Sequence, residues 1–93
     1  MKIGAFNKQP AERLSHTIVY SSALDTADSI SLIASCVAEP AGLTVTAGLA
    51  ASDRVRVWTE GGTDGVTYKI TVTIETAGGE VLQDELTCKV REL

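Results

Sequence analysis

From Tyr68 onward the chain alternates almost without fault. Tyr68, Ile70, Val72 and Ile74 are apolar, and Lys69, Thr71, Thr73 and Glu75 between them are polar. A period of two is the signature of a half-buried β-strand. Leu82, Leu86, Cys88 and Val90 repeat the pattern against Gln83, Glu85, Thr87, Lys89 and Arg91, with Ala77-Gly78-Gly79 between the two runs. A two-residue loop would set Ile74 against Gln83 and mix the faces. A three-residue loop sets Ile74 against Leu82, Ile70 against Leu86 and Tyr68 against Cys88, with Gly79 in the left-handed conformation such loops require. Asp84 is the misfit, since this register points it inward opposite Val72, where it needs a bulge or a polar partner.

The same reading carried back along the chain predicts further strands. Residues 14–20 place Leu14, Ile18 and Tyr20 on one face and Val19 on the other. Residues 21–28 connect, with Leu24 anchoring the loop to the core. Ile30, Leu32, Ala34 and Cys36 then alternate with Ser29, Ser31, Ile33 and Ser35, and Glu39-Pro40-Ala41-Gly42 ends that strand. A short strand over 43–47 and a turn over 48–53 lead to a strand over 54–59, with Val55 and Val57 inward. Arg54, Arg56 and Trp58 fall on its opposite face. Trp58 is either a core residue reached through a bulge or an interface anchor between arginines, a pairing enriched at binding hot spots. Asp64-Gly65-Val66-Thr67-Tyr68 is close to the motif in which a tyrosine hydroxyl folds back onto the preceding corner of an immunoglobulin-like sandwich. No helix is predicted. The chain reads as all-β: a single immunoglobulin-like antiparallel β-sandwich of six or seven strands over residues 14–93. An extended N-terminal arm, residues 1–13, precedes it.

Composition narrows the function classes. Ninety-three residues make one domain. No stretch approaches the ~20 apolar residues of a transmembrane helix, and residues 1–7 hold no signal-peptide core, so the expected setting is the cytoplasm of a cell, with no membrane partner. The net charge of −4 divides into +2 over residues 1–13 and −6 over the remainder. An acidic body argues against nucleic-acid binding. A basic arm on such a body can reach a neighbouring acidic subunit, which makes Lys8, Gln9, Pro10 and Arg13 candidate partner-binding residues beside Arg54, Arg56 and Trp58. Cys36 and Cys88 read as reduced, buried thiols in a reducing compartment.

Little chemistry is available. His16 is the only histidine, and adjacent strand residues point to opposite faces, so Ser15 and His16 do not make a nucleophile–base pair. One histidine and two inward cysteines are too few for a zinc site. Asp25 with Asp28, and Glu60 with Asp64, lack the dense spacing of a calcium loop and read as turn and cap residues. Gly61-Gly62 lacks the ending and the helix of a phosphate-binding loop. The expectation is a non-enzyme with no cofactor and no metal.

Three segments also resemble a known family. Lys8-Gln9-Pro10-Ala11-Glu12-Arg13-Leu14 with Tyr20-Ser21-Ser22-Ala23-Leu24 is similar to the opening of a group of small tailed-bacteriophage structural proteins. The run from Trp58 to Tyr68 is similar to their centre, and Thr76-Ala77-Gly78-Gly79 through Val90-Arg91-Glu92-Leu93 to their ending. Some of these proteins join fibres to the tail. The resemblance implies a virion component, assembled in the host cytoplasm. It would hold phage tail, fibre or neck proteins and form a homo-oligomer. The main alternative is a carbohydrate- or surface-binding module using Trp58. An enzyme accessory domain is disfavoured by a chain that starts at Met1 and ends with its last strand.

Overall fold

The computed structural model describes residues 2–21, 23, 24 and 27–92. Seven strands follow one another: β1 (Lys2–Lys8), β2 (Arg13–Val19), β3 (Ile30–Glu39), β4 (Leu43–Ala51), β5 (Arg54–Gly61), β6 (Thr67–Thr76) and β7 (Val81–Val90). There is no helix among the described residues. The strands form a four-stranded sheet in the order β1-β7-β6-β3 and a three-stranded sheet in the order β2-β5-β4. Lettered A to G, these are the B-E-D and C-F-G groups of an immunoglobulin sandwich, with strand A moved from B's sheet to the side of G. Every pairing is antiparallel except β1 with β7, which is parallel.

The core lies where the inner faces meet. Val55 and Val57 of one sheet and Ile70, Val72 and Ile74 of the other are fully buried. Full burial of each such side chain stabilises the fold by roughly 1.5–3 kcal/mol. The β6–β7 hairpin has the expected register, with Ile74 opposite Leu82, Ile70 opposite Leu86 and Tyr68 opposite Cys88. Its loop is Ala77-Gly78-Gly79, closed by Thr76 N–H donating to Glu80 O at 2.8 Å, with Gly79 at φ 92°. Tyr68 is buried, and its hydroxyl accepts the Thr63 N–H at 2.9 Å. Leu24 packs on the core edge as expected.

Asp84 does point inward and is buried, with no bulge in the ladder beside it. Tyr20, reaching over from the other sheet, is the polar neighbour. Its buried hydroxyl lies against the Asp84 carboxylate at a geometry short of a good hydrogen bond. Burial first, and the Asp84 charge second, hold the phenol well above its ordinary 10.0. Cys36 and Cys88 are free thiols, Cys88 buried and Cys36 half-buried.

Several expectations are corrected. The N-terminal segment is not an unpaired arm: residues 2–8 are β1, hydrogen-bonded along β7. The inward positions of β1 carry Gly4, Phe6 and Lys8, opposite Leu86, Cys88 and Val90. A glycine and a lysine where apolar residues would stand erase the alternation from the sequence. β4 runs to Ala51, so the turn before β5 shrinks to Ser52 and Asp53. In β3 the register slips between Ile30 and Leu32 and again between Ile33 and Ser35. The two irregularities turn Ile33 inward and leave Leu32 exposed, because an extra residue in an edge strand inverts the faces that follow. His16 lies on the edge strand β2. It points inward, and its ring stacks on Phe6 with centroids 3.8 Å apart, joining the two sheets along the β1–β2 side. Its Nε2 is buried without a partner, and burial lowers its pKa below the ordinary 6.5.

Candidate functional site

The outer face of the β2-β5-β4 sheet carries the most distinctive surface chemistry. Along β5, Arg54, Arg56, Trp58 and Glu60 point outward because Val55, Val57 and Thr59 fill the core side. Trp58 is directly flanked by Ser15 of β2 and Thr46 of β4. The ladder is regular at this point on both sides, so no bulge carries the indole into the core; the core alternative for Trp58 is thereby overturned. Small neighbours on either side leave the ring partly exposed at the centre of the sheet.

Two arginines lie over that ring. The Arg13 guanidinium sits 4.1 Å from the ring centroid and that of Arg56 sits 5.7 Å away. Each such contact stabilises by about 0.5–1 kcal/mol at an exposed site. Arg13 also donates from Nε to Glu60 Oε1 at 2.9 Å, its direct cross-strand neighbour. Arg56 makes no ion pair among the described residues. Between Trp58, Arg56 and β4 runs an open groove lined by Thr46, Gly48 and Leu49. Leu49 is half-exposed there, and a Cβ built on Gly48 would meet nothing within 4 Å.

The remaining candidate residues are placed elsewhere. Arg54 shares the face but sits at the start of β5, its Nε donating to Asp53 at 3.3 Å. Gln9 and Pro10 form the β1–β2 turn, where Gln9 N–H donates to Glu12 Oε1 and Glu12 N–H donates to Gln9 O. Lys8 turns inward and is 2% exposed. Its ammonium donates to Gly61 O at 2.6 Å, Gln9 O at 2.8 Å and Pro10 O at 3.4 Å. Expected as a partner contact, its side chain instead ties the β1–β2 turn to the end of β5. The structure therefore brings together Arg13, Arg56 and Trp58, and disperses Lys8, Gln9, Pro10 and Arg54.

The carboxylates expected in turn and cap roles are engaged within the chain. Asp28 accepts from the Ser29 and Gly78 N–H groups at 2.8 and 2.9 Å, joining the β2–β3 loop to the β6–β7 turn. Those backbone hydrogen bonds hold its carboxyl below the usual aspartate value. Asp64 accepts from Glu92 N–H at 2.9 Å, and Glu60 holds Arg13. Asp25 lies outside the described residues. Ser15 and His16 fall on opposite faces of β2, as the strand period requires.

The groove beside Gly48 was not legible in the sequence. The signal that was there is the uncharged run from Leu43 to Ser52, which reads as a turn-prone stretch until β4 is seen to be a long edge strand.

No curated protein matches the chain significantly. The family model described as podophage GP4 fiber-tail adaptor protein gp77 matches residues 8–89, nearly the whole sandwich. The chain belongs to this family of phage fibre–tail adaptors.

Proposed function

We propose that this protein is a non-enzymatic component of the virion that joins fibres to the tail, and that it docks through the outer face of the β2-β5-β4 sheet. The observation that carries the docking face is Trp58, partly exposed between Arg13 and Arg56 and flanked by Ser15 and Thr46. Aromatic and arginine side chains supply most of the hot-spot energy of protein interfaces. The partners are tail, fibre or neck proteins, met in the host cytoplasm during assembly. Several copies around a symmetric tail multiply contacts that are individually weak. The surroundings of Ser15 and His16 favour a role without catalysis, since the two side chains lie on opposite sides of their strand.

The carbohydrate-binding alternative is weaker, because the Arg13 guanidinium lies over the indole ring, on the kind of face a sugar ring would stack against.

Particles assembled without this protein are expected to carry tails that lack fibres, as read by electron microscopy and by the protein content of purified particles. Complementation with Trp58→Ala is expected to leave the particles fibreless although the variant folds. Fibres present in normal number on particles lacking the chain would overturn the adaptor role. Full rescue by Trp58→Ala would overturn the docking face.

A further inference from the structure

The free edge of β4 lies directly beside the Trp58 groove, and it is the least protected edge of the sandwich. Natural sheets blunt their edges with lysines, prolines, bulges or short strands. β1 begins and ends on lysine, β2 carries Arg13 and His16, and β3 is interrupted by two register shifts. β4 is nine residues long, holds no charged residue, and has one irregularity, at its end between Leu49 and Ala51. Among the described residues its neighbour in the sheet is β5 alone. Along residues 43–49, alternate backbone N–H and C=O groups therefore face away from the sheet with no strand to receive them.

We propose that β4 accepts an extended, acidic segment of another virion protein as a fourth strand of this sheet. The proposal rests on the adaptor reading and names the chemistry of the partner at the same face. Strand addition supplies affinity through backbone hydrogen bonds and specificity through the side chains on one face. Here the side chain that selects is Arg56. Gly48 stands directly opposite Arg56 in the ladder and presents no side chain. A strand added beyond β4 would lie about 9.6 Å from β5, and an arginine reaching over a bare glycine meets a carboxylate at that distance. Among the described residues Arg56 pairs with no carboxylate, on a protein whose net charge is −4. A second copy adding one of its own edge strands would bring at most Glu39 at the end of β3, because β1, β2 and β4 contain no acid. The occupant is therefore an acidic segment from a different protein.

The test uses the intact protein and a capped seven-residue peptide of sequence Thr-Glu-Val-Glu-Val-Glu-Thr, followed by NMR. Shift changes are expected along β4 and at the Trp58 indole, with slowed exchange of alternate β4 amides. Affinity is expected to fall at least tenfold when glutamine replaces glutamate in the peptide. The same loss is expected in Gly48→Glu, which hands Arg56 an internal carboxylate, and in Arg56→Gln, which keeps a polar side chain should the first variant fold poorly. No perturbation at millimolar peptide would overturn the proposal, and so would equal binding of the glutamine peptide. Concentration-dependent changes at β4 without peptide would identify a second copy as the occupant and overturn it as well. Fibreless particles in the absence of the protein, combined with an inert peptide titration, would remove the β4 site and leave the adaptor role standing. Fibred particles combined with a binding peptide would do the reverse.

Discussion

Two buried polar atoms show how single residues hold this sandwich together. The Tyr68 hydroxyl takes the Thr63 N–H in the turn that precedes its own strand. Replacing Tyr68 with Phe is expected to cost about 0.5–1.5 kcal/mol, the net worth of one hydrogen bond, as read from a urea midpoint. The same hydroxyl explains Gly42, which stands at φ 124° and whose Cβ would come within 2.9 Å of it. Lys8 is the second case. Its ammonium satisfies carbonyls from two separate segments, so Lys8→Met leaves the Gly61, Gln9 and Pro10 oxygens without their donor. The expected loss is about 1.5–3 kcal/mol, the range for a hydrogen bond to a charged group. A midpoint unchanged in Lys8→Met would show that water serves these carbonyls equally well.

At the scale of elements, β1 and the last hairpin respond differently to change. β1 covers the edge of β7 and brings Phe6 onto His16. Deleting residues 2–8 removes both, along with Lys8. The thermal midpoint is expected to fall by at least about 10 °C, since 1 kcal/mol shifts a domain of this size by about 4–8 °C. A truncated protein that melts at the parent temperature would make β1 a dispensable attachment. The hairpin is limited by its loop instead. Gly79 sits at φ 92° in open space, so Gly79→Val meets no steric neighbour but resists the backbone angle. A loss of roughly 1 kcal/mol or more follows, and an unchanged midpoint would count against the left-handed turn.

For the whole molecule, shifted groups between the sheets set a pH window: His16 on the acid side, and Tyr20 with the thiols of Cys36 and Cys88 on the alkaline side. The His16 pKa is lowered by burial, so the unfolded chain binds a proton more readily than the folded one. Stability is complete above 6.5 and declines as pH falls through the lowered folded value. Tyr20 works in the opposite sense, because its pKa is raised. Its contribution is complete below 10.0 and is lost as the unfolded chain ionises above that value. Burial raises the Cys36 and Cys88 thiols as well, so their contribution starts to fall above 9.0, and denaturation midpoints measured across pH should form a plateau between 6.5 and 9.0. Replacing His16 with Phe should flatten the acid side, with the stack on Phe6 preserved as an aromatic pair. An acid limb that persists unchanged in His16→Phe would assign that side to Asp28, whose carboxyl the Ser29 and Gly78 N–H groups hold low.

How much of this was legible before folding depends on where each residue's partners lie. The β6–β7 hairpin, its three-residue loop, the inward Asp84 and the Tyr68 corner follow from alternation and turn chemistry, because their partners are near in sequence. Family membership is carried by the same local runs. What only the tertiary structure decided involves partners that are distant or patterns that break. β1 has a glycine and a lysine on its inner face, and its pairing to β7 spans the whole chain. The faces of β3 depended on two bulges that no period announces. Trp58 became a surface residue because Val55, Val57 and Thr59 took the core side of β5. Its arginine cover comes from two strands whose alignment the pairing alone fixes. Sequence determines which face of a strand is apolar; the strand order, set by long-range pairing, decides which strands lie at the edges, and it leaves uncharged β4 at one of them.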